Sequence, residues 1–163
     1  MNLRTPDDSL LAKREQISEF YLAFSRYEFA LKLTGFVKQS NRGAQVDWDK
    51  LAAELGELDQ LLEGRRSEVE ELLTDPPKRL NVVENNRLEW GEDTPKSTWG
   101  DMRIFIYRVQ AVRNNLMHGS KFLQRGNSDP EREKRLLSSA FIALSIILNK
   151  LPDTKRAFFS PAS

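Results

Sequence analysis

The chain of 163 residues contains no cysteine and a single histidine. Without cysteine it has no disulfide framework, no thiolate metal ligand and no thiol nucleophile. One histidine leaves too few of the ligands that zinc prefers, so we expect no metal site. The sequence also lacks the Gly-x-Ser-x-Gly turn of serine hydrolases and a glycine-rich phosphate loop. These absences argue against several common kinds of enzyme site, and we expect no cofactor.

Long hydrophobic runs are also missing. The longest, Leu136 to Leu148, is interrupted by three serines and is too short to cross a bilayer. Residues 1–8 are polar and show no apolar region of the kind found in signal peptides. The lack of cysteine fits a reducing compartment. We therefore expect a cytoplasmic protein that has no contact with a membrane.

The charge is nearly balanced, with 25 basic and 24 acidic residues and a net charge of +1. The total charge therefore does not indicate a nucleic-acid binder. Acidic side chains concentrate between residues 54 and 71, where their spacing is typical of a solvated helix face rather than a metal site. Basic side chains concentrate later, in a group compatible with binding a few phosphates: Arg103, Arg108, Arg113, Lys121 and Arg125.

The length predicts one domain, residues 1–163, with a core of its own. Apolar residues at helical spacing and capping signals predict an all-α fold, an up-and-down bundle of four to five helices. The predicted helices cover about 7–40, 46–56, 58–73 with a break allowed at Gly64, 98–118 and 129–151. Residues 38–45 are predicted to be a polar loop, and residues 153–163 a loosely ordered tail in which Phe158 and Phe159 can dock.

Residues 75–97 are predicted to be an irregular insert between two helices. Asp75-Pro76-Pro77 ends the helix before it. Residues 78–84 and 87–90 can pair as a small hairpin around Asn85-Asn86, because a structureless loop of this length is unusual in a compact domain. The insert is either a surface excursion held by Leu88 and Trp90 or a lid over a groove, and we favour the excursion.

The segment from Arg113 to Gly119 carries the residues best suited to chemistry. His118, the single histidine, stands one helical turn after Asn114, and Gly119 predicts the end of the helix close to it. An imidazole can transfer protons near neutral pH. Arg113 offers a planar, permanently charged fork that suits a phosphate, and Asn114 can orient either partner. Together these side chains form a plausible set for cleaving a phosphodiester without a metal ion.

The run Arg113-Asn114-Asn115-Leu116-Met117-His118 resembles the Rx4–6H signature of the HEPN superfamily. That signature has an arginine, commonly a polar residue next, and a histidine four to six positions further on, late in a long helix. The resemblance covers the motif and the helices around it, but not the insert at 75–97. It implies a small all-α protein, usually a homodimer in which two motifs face each other and form one RNA-cleaving site.

The resemblance supports two functional hypotheses. The first is a metal-independent endoribonuclease, such as a toxin or defence component, in which the RNA 2′-OH attacks, His118 acts as acid or base and Arg113 stabilises the phosphorane. Asn114 would position these groups, and Lys121 and Arg125 would bind the substrate. The second is a catalytically inactive helical module that binds a partner protein or a nucleotide. In that case His118 only caps its helix. The partners would be RNA, an antitoxin or other protein, and a second copy of the chain.

Glu28 lies among the aromatic residues of the first predicted helix and has two interpretations. It can pair with Lys32 on its own helix, one turn away, as a carboxylate at the rim. It can also be the partner of Arg113 across the bundle, since a partly buried arginine needs a counter-ion or an anion. The sequence favours the first interpretation and leaves the second open.

Overall fold

The computed structural model of the chain describes residues 9–117 and 130–160. This part is mainly helical and contains two small antiparallel sheets of two strands each. The helices are α1 Ser9–Leu33, α2 Trp48–Leu55, α3 Leu58–Leu61, α4 Glu70–Thr74, α5 Asp101–Met117, α6 Pro130–Lys150 and α7 Pro152–Phe159. The strands are β1 Val37–Ser40, β2 Gly43–Val46, β3 Arg79–Val83 and β4 Arg87–Gly91. The prediction of a purely all-α fold with four to five helices is therefore wrong.

A single hydrophobic core joins α1, α5 and α6 to the shorter elements. On α1 the buried side chains recur every three or four residues, so they share one face of the helix. They are Phe20, Phe24, Tyr27 and Leu31. On α5, Phe105, Val109 and Val112 form the matching stripe. Arg113 directly follows Val112, so the stripe places Arg113 at the edge of the core.

The β1–β2 hairpin replaces the predicted polar loop and the last turns of the predicted first helix. The backbone of Gly35 has a φ of +95°, which ends α1 in a conformation that glycine adopts readily. Val37 then pairs with Val46, and the buried Val46 together with Phe36 fixes the base of the hairpin. Val46 is the one buried residue of these two strands, so the sequence lacks the alternation of apolar and polar residues that would indicate a strand.

The third predicted helix, about 58–73, is broken where the sequence allows a break. Gly64 has a φ of +73°, and a short 3-10 turn at Arg66–Val69 separates α3 from α4. Leu61, Val69 and Leu72 remain buried on either side of the break. The chain therefore turns without losing contact with the core.

The predicted loose tail is wrong for residues 153–159, which belong to α7. Pro152 stops α6 and also occupies the first turn of α7, where its missing N–H costs nothing. The Thr154 hydroxyl is buried and lies 2.8 Å from that of Thr34 at the end of α1. Arg26 places its guanidinium carbon 5.6 Å from the Phe158 ring centroid. The predicted docking of Phe158 is confirmed, whereas Phe159 is exposed.

The predicted hairpin in the insert is confirmed as β3 and β4. Asn85 and Asn86 both have positive φ, as tight hairpin turns require and asparagine tolerates. Leu88 does not hold the insert, because it is exposed together with Val82, the residue opposite it. Trp90, the other residue predicted to hold the insert, is partly buried, and ion pairs hold the two ends. The Asp75 carboxylate receives two hydrogen bonds from Arg132 of α6, and the Asp93 carboxylate receives one from Arg108 of α5.

No single helix among the described residues is both long enough and apolar enough to cross a membrane. Only α6 and α7 taken together pass such a test, by length and composition, and they are bent by 118° relative to each other.

Candidate functional site

The candidate site lies where the second half of α5 faces α1. Val112 points into the core, and Arg113 follows it at the boundary between core and solvent. The Arg113 side chain is 30% exposed, and that of Glu28 on α1 is 26% exposed. Two charged groups therefore meet at a half-buried position, where the electrostatic interaction is screened less than at the surface.

The Arg113 guanidinium is held from three directions. Its Nη1 donates to Asn114 Oδ1 at 2.9 Å, and its Nη2 lies 3.6 Å from Glu28 Oε2. Its central carbon lies 5.6 Å from the ring centroid of Phe24, which is within cation–π range. Its Nε is buried and has no hydrogen-bond partner among the described residues. The guanidinium is thus held by one hydrogen bond, one ion pair and one ring contact, and Nη2 makes no hydrogen bond to a described residue.

Glu28 pairs with Arg113 across the two helices, which is the interpretation that the sequence left open. The positive charge of Lys32 acts on Glu28 as well. Burial raises the pKa of the Glu28 carboxyl above its ordinary value of 4.5. The charges of Arg113 and Lys32 oppose that shift without cancelling it. Removing the carboxylate from water thus outweighs the attraction to both cations.

Glu28→Gln is expected to flatten part of the pH dependence of folding stability. Because the pKa of Glu28 is raised, the folded chain binds this proton more tightly than the unfolded chain does. The group contributes most stability below the unfolded pKa, and that contribution is lost as pH rises through the folded pKa. Urea denaturation from about pH 4 to 8 should show the parent losing stability relative to Glu28→Gln. If the free energies of unfolding of the parent and Glu28→Gln change with pH in parallel, the expectation is wrong. The control is Glu19→Gln, which makes the same change at an exposed residue of the same helix.

Asn115 has a role that the sequence did not indicate. Its Nδ2 donates to the backbone carbonyl of Lys78 at 2.9 Å and so ties the last turn of α5 to the start of the insert. Nothing in the local pattern could reveal this bond, because the two residues are 37 positions apart. Asn114, in contrast, is exposed and accepts a hydrogen bond from Arg113.

A groove of about 330 Å³ lies beside Arg113, between α1 and α5. Buried Phe20 forms its floor, and Ile17 and Leu116 contribute apolar walls. The exposed residues Tyr21 and Leu22 line it as well. The sequence does not predict this groove, because its shape depends on how two helices that are distant in the chain pack together.

Of the predicted site residues, the structure brings Arg113, Asn114 and Glu28 together. The proposed acid–base residue His118 and the proposed substrate-binding residues Lys121 and Arg125 lie outside the described residues. Two arginines of the predicted basic group already have partners within the fold. Arg103 donates to Asp49 at 2.9 Å and Arg108 to Asp93 at 2.7 Å, so they support the helix rather than offer free charge.

The acidic residues between 54 and 71 are mostly exposed, and several pair with arginines. Glu68 pairs with Arg65, Asp59 with Arg66, and Glu71 with Arg135 of α6. Within residues 9–117 and 130–160, no group of three or more histidine, cysteine, aspartate or glutamate side chains could hold a metal ion. The interpretation as a solvated helix face agrees with this arrangement.

No protein-family model, no curated protein and no solved structure matches the chain. The motif and the surroundings of Arg113 are therefore the features from which a function can be inferred.

Proposed function

We propose that this chain is a HEPN-like, metal-independent endoribonuclease of the kind found among toxins and defence proteins. Arg113 would stabilise the charge of the phosphorane, Asn114 would position the guanidinium, and His118 would transfer protons. Lys121 and Arg125 would bind the RNA backbone. The role of Glu28 would be to hold the arginine fork in place.

One observation carries the proposal: the arginine of the motif is 30% exposed, lines a groove, and its Nη2 makes no hydrogen bond to a described residue. An arginine with a purely structural role usually commits its donors to protein acceptors. Here Nη2 is 3.6 Å from Glu28, longer than a hydrogen bond, and Nε has no acceptor among the described residues. A phosphate oxygen can accept from Nη2, because a guanidinium N–H and a phosphate form a charge-assisted hydrogen bond.

The reaction needs no nucleophile from the protein. The RNA 2′-OH forms a bond to phosphorus and gives up its proton, and the bond from phosphorus to the 5′-oxygen breaks. That oxygen takes up a proton as it leaves, so one imidazole in each of two facing copies can serve as base and as acid. The products are a 2′,3′-cyclic phosphate and a 5′-hydroxyl.

A homodimer with a bundle-like arrangement of helices is part of the proposal. Leu22, Phe29 and Leu33 are exposed on α1 at intervals of seven and four residues, which puts them on one side of the helix. An apolar stripe of this kind is a usual feature of protein interfaces. A second copy would cover it, and an antitoxin would be a further partner.

The test is cleavage of a labelled RNA by the purified chain in the presence of EDTA. We expect cleavage products ending in a 2′,3′-cyclic phosphate and a loss of roughly 100-fold or more in rate for His118→Ala. Expression of the parent should slow bacterial growth, and His118→Ala should relieve that effect. Equal cleavage by the parent and by His118→Ala would refute the proposed chemistry.

The contacts of Arg113 also favour the second hypothesis, a module without catalysis. The pair with Glu28 and the stacking on Phe24 are what a structural arginine joining two helices would make. In that case His118 caps α5, and the groove or the exposed stripe binds a partner protein or nucleotide. Absence of both toxicity and cleavage, together with a folded dimer, would support this hypothesis over the nuclease.

A further inference from the structure

We propose that the outer edge of strand β4 pairs with the same edge of a second copy of the chain. The two hairpins then form one antiparallel sheet of four strands. This interface uses the insert and not the exposed stripe of α1, so it goes beyond the proposed function and does not depend on RNA cleavage. Three features of the hairpin support it: a strand edge without a partner, a pair of exposed apolar side chains, and a self-complementary order of charges.

The hairpin gives β4 a strand partner on one side only. β3 and β4 form a sheet of two strands, and within residues 9–117 and 130–160 no third strand joins it. Every residue from Glu84 to Glu89 is exposed. The backbone N–H and C=O groups along such an edge can pair with another strand, and proteins commonly prevent this with lysine or proline. The strand Arg87–Gly91 contains neither residue type, so its outer edge is open to pairing.

One face of the hairpin is apolar. Opposite residues share a face, so Leu80 and Val82 of β3 lie on the same side as Trp90 and Leu88 of β4. Leu80 and Trp90 are partly buried, whereas Val82 and Leu88, which lie directly opposite each other, are exposed. A second β4 strand beside the first would bring the two Leu88 side chains together. Val82 and Leu88 of both copies would then form one row across four strands, which removes apolar surface from water.

The charges of β4 complement those of the same strand turned around. Antiparallel pairing about a two-fold axis at Leu88 places Arg87 opposite the partner's Glu89, and Glu89 opposite the partner's Arg87. Within the described part of the chain, neither side chain is engaged in an ion pair. Opposite charges that face each other across two strands stabilise a sheet, and like charges destabilise it. This register therefore creates two attractive pairs at once.

Neighbouring registers are less favourable. An axis at Arg87 places two arginines opposite each other, and an axis at Glu89 does the same with two glutamates. An axis between two residues pairs a residue whose N–H and C=O point to the outer edge with one whose groups point to β3, so the hydrogen bonds are lost. The order of residues in β4 thus favours the register centred on Leu88. Pairing about a two-fold axis joins two copies and then closes, so it does not build a fibre.

A disulfide tests this register directly, because the chain has no cysteine of its own. Leu88→Cys puts two thiols at the axis, with Cα atoms roughly 4.5–5.5 Å apart, which a disulfide can span. The matched control is Val82→Cys at the exposed residue opposite, whose two copies lie three strand spacings apart, about 14 Å, too far for a disulfide. After mild oxidation of the full chain, a gel without reducing agent should show a covalent dimer for Leu88→Cys alone. Equal amounts of dimer from both variants, or none from Leu88→Cys, would overturn the proposal.

An exchange of charges tests whether the partner is a second β4. Arg87→Glu or Glu89→Arg alone makes both cross-strand pairs repulsive, so each should weaken self-association by about tenfold or more. The double variant Arg87→Glu with Glu89→Arg restores opposite charges and should associate as the parent does. An equimolar mixture of the two single variants should also associate, because one then has two acidic and the other two basic side chains at these positions. Sedimentation equilibrium of the full chains at one salt concentration measures each constant.

Recovery in the double variant excludes misfolding as the cause of the loss, because it contains both substitutions. At a concentration where the parent is fully associated, Arg87→Glu should have half its mass, whether or not the stripe on α1 forms a dimer as well. Equal masses for the parent and both single variants would overturn the proposal. So would a double variant that stays dissociated while its circular dichroism matches that of the parent. Neither experiment contains RNA, so the result is independent of the proposed nuclease activity.

Discussion

Arg113→Ala is expected to reduce RNA cleavage by about 100-fold or more, because it removes the group proposed to stabilise the phosphorane. Arg113→Lys should recover only a small part of the rate. Lysine keeps the charge, but it has no planar guanidinium and cannot stack in the same way on Phe24. Single-turnover cleavage of a labelled RNA by the three proteins, at equal concentration, measures the effect.

A loss of activity could also come from unfolding, since Arg113→Ala leaves the partly buried Glu28 without this counter-ion. The double variant Glu28→Gln with Arg113→Met controls for this. It removes both charges and keeps similar volumes, so its free energy of unfolding should stay within about 1–2 kcal/mol of the parent. It should nevertheless cleave no faster than Arg113→Ala. A folded double variant with the rate of the parent would rule out any part for Arg113 in the reaction.

Asp93→Ala is expected to lower the free energy of unfolding by about 3 kcal/mol, the largest effect of any single ion pair described. Asp93 is 6% exposed and Arg108 is 20% exposed, with 2.7 Å between Oδ2 and Nε. Arg108 Nη1 also donates to the carbonyls of Leu72 and Leu73, at the end of α4. Loss of the carboxylate leaves the arginine charge partly buried next to those carbonyls alone.

The matched control is Asp153→Ala, which breaks the pair between Asp153 and Arg156 on α7. Both of these side chains are largely exposed, at 78% and 77%, so the change should cost at most about 0.5 kcal/mol. Urea denaturation of the two variants and the parent at one pH and salt concentration gives the comparison. Equal small losses would show that burial does not strengthen the Asp93 pair.

Local signals in the sequence predicted several elements correctly. Asp47 caps α2, as its position before Trp48 indicates, and its Oδ1 accepts from the backbone N–H of Lys50. Asn85-Asn86 supplies the positive φ angles of the insert hairpin. In each case the controlling interaction lies within a few residues, so the pattern along the chain contains the information.

Features that depend on distant packing could not be predicted in the same way. The β1–β2 hairpin has polar, exposed strands and is fixed mainly by its base at Phe36 and Val46. The tail forms α7 because Thr154 and Phe158 find contacts on α1. At the candidate site, the motif singled out Arg113 and Asn114, which the structure joins by a hydrogen bond. The contact with Glu28 was only one of two interpretations, because its partner is 85 positions away in the chain.

The two ends of the insert are attached to different helices. Arg132 holds Asp75 and also donates to the carbonyl of Pro76, while Arg108 holds Asp93. The turn at Asn85-Asn86 is remote from both attachments along the chain, so lengthening it adds only the slowly growing entropy of a longer loop, about 0.6 kcal/mol for each doubling. An epitope or a fluorescent reporter could therefore be grafted at this turn for labelling the protein, with the core and the surroundings of Arg113 left as they are.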